Sequence, residues 1–173
     1  MRKLFLILYY GLATHLPDSY TPVVGKLSNR LRVICCHHIF KRCGAIVTVN
    51  RKAYFGNGSE IEIGDDSGIG ANCHLPNDIK IGDHVMMAPD VLIFNRNHNY
   101  SDPEIPIGRQ GMSETRPVRI HNNVWIGQRA IINAGRTIAD GTVIAAGSVV
   151  TRDFPENSII GGNPAKLIKN RID

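Results

Sequence analysis

The chain has 173 residues, enough for one domain with a sizeable core. Its 17 glycines and its aromatic content of only 6% suit short extended segments joined by tight turns, and argue against a helical bundle. The net charge of +5 admits a polyanionic small molecule or a membrane surface as partner, but no arginine-rich run interleaved with aromatics is present, which argues against nucleic acid.

In chain order, Arg2 and Lys3 precede an apolar run from Leu4 to Tyr10 that imitates a signal peptide through Ala13. Tyr9, Tyr10 and the apolar continuation favour instead a retained helix over Leu4 to Leu12, ending near Pro17. That run falls short of the roughly 20 apolar residues of a membrane span. Thr21-Pro22 offers a second helix start, a capping hydroxyl followed by proline at the first helical position. Leu27, Leu31, Ile34 and His38 then recur at helical spacing, with Lys26, Arg30, Arg32, Lys41 and Arg42 on the remaining face and Gly44 closing the element. The expectation is a basic amphipathic helix that caps one end of the domain; the alternative is peripheral docking on a membrane. Cys35, Cys36, Cys43 and Cys73 contain no C-x-x-C pair, which points to a reducing compartment. A cytoplasmic protein is expected, with peripheral contact at the inner face of the membrane as an option. No metal site is expected, because His37 and His38 have no further ligand at metal-binding spacing.

Short strands begin after Ala45, and from Ile63 a period of six sets in. An aliphatic or similar residue returns at Ile69, Leu75, Ile81, Met87 and Ile93, then at Ile120, Ile126, Ile132, Ile138, Ile144 and Val150. Two places earlier lies a second inward candidate, as at Ile61, Ser67, Cys73, Val85, Val118 and Ser148. A period of six with two inward positions fits neither a helix nor a flat strand. It requires short strands joined by corners that Gly, Asn and Asp can turn, stacked so that successive units pair. Between Ile93 and Ile120 the count slips by about 21 residues. That excursion opens at Asn95-Arg96-Asn97-His98-Asn99.

The hexads, with Met87-Ala88-Pro89-Asp90, Asn97-His98, Asn122-Asn123-Val124-Trp125-Ile126-Gly127, Ala146-Gly147-Ser148-Val149-Val150-Thr151-Arg152-Asp153 and Gly161-Gly162-Asn163-Pro164-Ala165-Lys166, resemble the hexapeptide-repeat acyltransferases. The likeness is nearest to the galactoside and maltose O-acetyltransferase branch. The N-terminal helices resemble the extra segment of polysaccharide-biosynthesis acetyltransferases. The resemblance implies an all-β fold, a left-handed parallel β-helix with N-terminal helices and a short C-terminal helix. Residues 1–45 would form the helical appendage, 46–160 the β-helix with its excursion at about 94–117, and 161–173 the C-terminal helix.

The same resemblance implies a homotrimer that O-acetylates a sugar or glycan hydroxyl directly from acetyl-CoA, without a metal, in cell-surface polysaccharide biosynthesis. His98 matches the general base, a role suited to a group that titrates near neutrality. Gln128 matches the position whose backbone N–H approaches the thioester carbonyl. Ala146, Thr151 and Arg152 match residues along the pantetheine arm and phosphates. Lys166 and Lys169 match basic residues, usually arginines, near the adenosine phosphates. Trp125 matches an aromatic beside the cleft. Asn72 aligns with an acceptor-binding residue through the Ala71-Asn72 pair, whereas hexad phase shifts that match by two places. Asp102 and Glu104 are candidates to orient the His98 imidazole. Two other readings stay open: N-acetylation of a nucleotide-linked amino sugar, and a non-enzymatic scaffold. His74, His84 and His121 placed across a subunit interface of a trimer would resemble the zinc site of the γ-class carbonic anhydrases.

Overall fold

The computed structural model describes all 173 residues. Every aliphatic hexad position named above, from Ile63 to Val150, is buried, and so is the second inward series from Ile61 to Ser148. The polar members of that series are satisfied locally. The Ser67 hydroxyl donates to the Gly82 carbonyl at 2.7 Å, and that of Ser148 to the Ala145 carbonyl at 2.6 Å. Dispersion contacts along this continuous aliphatic column hold the coils in register.

Two-residue strands stack into three walls. The first wall orders Arg42–Cys43, Glu62–Ile63, Lys80–Ile81, Arg119–Ile120 and Thr137–Ile138. The second contains Thr48–Val49, Gly68–Ile69, Met86–Met87, Trp125–Ile126, Val143–Ile144 and the C-terminal strands. The third contains Leu92–Ile93, Ile131–Ile132 and Val149–Val150, extended by bridges to His74 and Tyr54. Pairing between coils is parallel at 18-residue steps, as in Glu62 with Lys80. Lys80 with Arg119 is 39 residues apart, so 21 residues are added between the third wall and the first. The first coil is two residues longer, with Arg42 opposite Glu62, and its extra turn uses Gly56 and Gly58 at positive φ.

The corners explain the Gly and Asp/Asn that follow the wall residues. At the corner between the first and second walls, each coil's backbone N–H is capped by a side chain from the next coil. Ala45 N–H donates to Asp65 Oδ1 at 2.7 Å, Asp65 to Asp83 at 2.7 Å, Asp83 to Asn122 at 2.9 Å and Asn122 to Asp140 at 2.8 Å. Glycine is needed at such positions because coils approach closely: a Cβ on Gly64 would lie 2.7 Å from the Gly82 backbone.

The helices cover the first coil. α1 spans Arg2–Gly11 and is followed by a 3-10 turn at Ala13–His15; α2 spans Gly25–Ile39. Tyr9 and Tyr10 hydroxyls donate to the carbonyls of Ala53 and Gly56, each at 2.8 Å, closing the open end of the coil. Burial pushes the Tyr10 phenol up to about 12.

Two expectations are corrected. The buried face of α2 is Ser28, Arg32, Cys35, Cys36 and Ile39, whereas Leu27 and Ile34 are exposed. The cause is Arg32. Its guanidinium is fully buried and donates to the carbonyls of Val49, Ala13, Leu16 and Pro17 and to Ser19 Oγ. Those carbonyls end the first helical segment and the second wall's first strand, and the helix is rotated to serve them. The expected C-terminal helix at 161–173 is instead a strand pair, Ser158–Gly162 with antiparallel Ala165–Asn170. The last coil leaves an open edge on the second wall. Gly161-Gly162-Asn163-Pro164 turns the chain back onto it, so the backbone groups pair there rather than within a helix.

Candidate active site

Positive φ recurs at Lys52, Asn72, Asp90, Arg129 and Gly147, which form one vertical column at the corner between the second and third walls. This corner differs from the capped one. Asn72 Nδ2 donates to Asp90 Oδ1 at 2.9 Å, and Gln128 Nε2 to Asp90 Oδ2 at 3.1 Å. These two amides, with Arg129 as a weaker third influence, hold the Asp90 carboxyl below the usual carboxylate range. The Gln128 carbonyl accepts the Gly147 N–H at 2.8 Å. The backbone N–H groups of Gln128 and Ala146 find no acceptor in the chain, and both residues are exposed. An uncapped pair of donors at adjacent coils can bind a carbonyl oxygen or a developing oxyanion. Gly127 permits this approach of coils, since a Cβ there would meet Ala146 N at 2.5 Å.

Beside this corner the second wall is recessed. A cleft of about 440 Å³ is lined by Gly68, Gly70, Ala71, Ala88, Pro89, Met86, Asp66, Tyr20 and Trp125. Small residues form its floor, and the half-exposed Trp125 indole forms one side. Such an aromatic face with a carboxylate and an amide nearby suits a hydroxyl-rich ring.

His98 lies elsewhere in the chain. The excursion is a hairpin arm in which Arg116 N–H donates to Asn95 O at 2.6 Å, Ser113 to Asn97 at 2.8 Å and Asn99 to Gly111 at 3.0 Å, with His98 opposite Met112. The arm leaves at Asn95 from the corner between the third and first walls, five residue steps or about 16 Å along the chain from Asp90. It is almost wholly exposed, including Tyr100, Ile107 and Met112. Within the chain no hydrogen bond joins Asp102 or Glu104 to His98; the Asp102 carboxylate accepts the Glu104 N–H at 2.9 Å.

Thr151 and Arg152 follow the last strand of the third wall, with the Arg152 guanidinium 5.1 Å from the Phe154 ring centroid. Lys166 and Lys169 are exposed on the C-terminal strand, opposite Gly161 and Ile159. One chain therefore brings together Asn72, Gln128 and Ala146 with Trp125 nearby, while His98 lies on the arm that leaves from another corner. Of the three histidines of the zinc reading, His84 faces Asp66 and His121 faces Asp140, while His74 is on the third wall; the chain has no group of three metal-ligating residues. Arg136 reaches Asp153 of the next coil at 3.2 Å. Asp90 and Tyr20 were not singled out by sequence. Asp90 sits in the Met87-Ala88-Pro89-Asp90 match, a usable signal, whereas Tyr20 lies in a linker without pattern.

The profile of the bacterial transferase hexapeptide family (six repeats) matches residues 60–95 and 117–152, leaving out the arm. The computed structure superimposes on a maltose O-acetyltransferase from Clostridium difficile 630 with a TM-score of 0.79 at 33% identity, covering 98% of this chain and 85% of that one. The chain belongs to the hexapeptide-repeat transferase family. Its coils accordingly form the left-handed parallel β-helix of that family. Galactoside O-acetyltransferase of Escherichia coli K12 is 36% identical over 137 residues, 78% of this chain and 66% of the relative. A hexapeptide-repeat acetyltransferase of Vibrio cholerae O1 biovar eltor, solved in complex with acetyl coenzyme A, gives a TM-score of 0.74 at 26% identity over 99% of this chain and 85% of that one. The chain spans about two thirds or less of the curated relatives it matches.

Proposed function

We propose that this protein is an acyltransferase that moves an acetyl group from acetyl-CoA directly to a sugar or glycan hydroxyl, with His98 as general base. The observation that carries the reading is the pair of uncapped N–H groups at Gln128 and Ala146, beside the Trp125 cleft. His98 takes the proton of the acceptor hydroxyl as its oxygen attacks the thioester carbon. The oxyanion is stabilised by the Gln128 N–H, the C–S bond breaks, and the imidazolium returns its proton to the departing thiolate. Ala146, Thr151 and Arg152 line the pantetheine path, and Lys166 and Lys169 contact the phosphates as point charges rather than bidentate forks. Asn72 and Trp125 bind the acceptor.

The arm that carries His98 is rooted at a different corner from Gln128, which calls for a second copy. Outward residues differ by wall. The first carries Arg42, Glu62, Lys80 and Arg119, tied by ion pairs such as Lys80 to Glu62 at 3.3 Å. The second presents Met86, Trp125 and Val143, and the third Leu92, Ile131 and Val149. Two different apolar walls favour a head-to-tail contact, which closes into a ring as a homotrimer. The arm of one copy then delivers His98 to its neighbour's corner. We further assign the acceptor to cell-surface polysaccharide biosynthesis, on the resemblance of the N-terminal helices, and the protein to the cytoplasm.

Thiol release from acetyl-CoA with a panel of sugars and nucleotide-linked amino sugars tests the reading. Release with simple or polymeric sugars, giving an alkali-labile ester, is expected. Release only with amino sugars, giving a stable amide, would replace O-transfer by N-transfer; no acetyl-CoA binding would leave a scaffold.

A further inference from the structure

Residues 1–40, the helical cap, contain five of the 20 Lys and Arg but one of the 15 Asp and Glu, a net charge of +4 that leaves +1 for the whole coil and its C-terminal strands. Most of the excess charge of the protein thus belongs to the helical cap. The cap also carries exposed apolar side chains. Leu4 and Ile7 of α1 and Leu27 of α2 are between 66% and 72% exposed; Val23 just before α2 is exposed too and, to a lesser degree, Ile34 within it. Lys3 and Leu4 are within a turn of Ile7, and Lys26, Leu27 and Arg30 within a turn of one another, so cations and apolar groups share each outer face. Phe5 stacks on His38 at 3.9 Å while Arg32 reaches the carbonyls after α1, so the two helices run antiparallel and side by side. Their inner faces are bound to the first coil through Tyr9, Tyr10, Asn29 and Arg32. Their outer faces point away from it. Lys3, Lys26 and Arg30 take part in no ion pair, unlike Lys41, which faces Glu60 and Glu62.

We propose that this outer face of α1 and α2 docks the protein on an anionic lipid surface, with Leu4, Ile7 and Leu27 entering the headgroup layer and Lys3, Lys26 and Arg30 pairing with lipid phosphates. No helix of the chain is long and apolar enough to cross a membrane, so the contact is peripheral. Charge decides between a lipid and a second copy of the chain. Self-association through this face would oppose cations to cations with one carboxylate, Asp18, nearby, whereas an anionic bilayer satisfies both the apolar row and the unpaired cations. The proposal stands independently of the acetyl transfer above and would place whatever reaction the coil performs at a membrane.

The test is co-sedimentation of the full chain with vesicles of phosphatidylcholine alone and with 30% phosphatidylglycerol, as a composition of roughly cytoplasmic-leaflet charge. Binding to the anionic vesicles only, weakened by raised salt, is expected. Lys26→Gln with Arg30→Gln should weaken it about 25-fold, at roughly fivefold per cation near the surface. Ile7→Gln with Leu27→Gln, both at exposed sites, should also reduce it while an unchanged circular dichroism melt confirms folding. Absence of anionic binding, equal binding to neutral vesicles, or wild-type binding by both double variants would overturn the proposal. So would vesicle-independent self-assembly that the apolar variant abolishes.

Discussion

The Asn72 side-chain amide and the Asp90 carboxylate are joined at 2.9 Å across one coil step, and the second oxygen of Asp90 takes the Gln128 amide at 3.1 Å. This chain of contacts fixes the corner that offers the free N–H groups. Because those amides lower the Asp90 pKa in the folded state, the stability they contribute is present above the ordinary carboxylate pKa and is lost as pH falls through the depressed folded value. Asp90→Asn should therefore lower the urea midpoint near neutrality and flatten the acid limb of its plot against pH, so that variant and wild type converge at low pH. An unchanged acid limb would remove this role.

Gly127 sets how closely two coils approach at the same corner. Its added Cβ would lie 2.5 Å from Ala146 N and 2.7 Å from Ile144 O, both backbone atoms that cannot move alone. Gly127→Ala should cost about 1–3 kcal/mol of stability by overpacking. It should also reduce acetyl-CoA affinity, as read by calorimetry.

Arg32 should prove to be the principal polar anchor of the cap. It is buried with four carbonyls and one hydroxyl as its acceptors. Arg32→Ala removes the guanidinium donors from all of those acceptors, of which Ala13 O alone keeps a backbone partner in the Leu16 N–H, and a loss of roughly 3–5 kcal/mol is expected from urea unfolding. Arg30→Ala, one turn face away and exposed, should stay within about 0.5 kcal/mol.

Much of this architecture was legible as a period. Ile63 to Val150 recur every sixth place because each wall needs one inward aliphatic, and the slip before Ile120 reported the arm's length to the residue. The arm's own structure was not legible, since Asn95–Asn99 and Gly111–Arg116 pair through backbone groups with no apolar pattern. Arg32 was read as surface because its charge says nothing about five acceptors supplied by distant residues. The C-terminal strand pair was read as a helix because Ala165-Lys166-Leu167-Ile168-Lys169 alternates poorly; only the open edge of the last coil decides it. At the site, Gln128 and Ala146 came from motif resemblance, while the uncapped N–H groups that give them meaning depend on neighbouring coils.

A shared site makes a quantitative prediction. In the proposed homotrimer, His98→Ala and Ala146→Trp should each abolish activity, the second by filling the proposed pantetheine path. Random hybrids of the two should recover about one quarter of the sites, those pairing an intact His98 with an intact Ala146 on the neighbouring copy. Hybrids without recovered turnover would put both residues in the same chain's site.

The most direct measurement is steady-state acetyl transfer by His98→Ala against wild type, with acetyl-CoA binding followed in parallel. Loss of a general base predicts a kcat about 10²–10⁴ lower with acetyl-CoA affinity retained. Turnover equal to wild type would contradict the assignment of His98 and with it the site between copies.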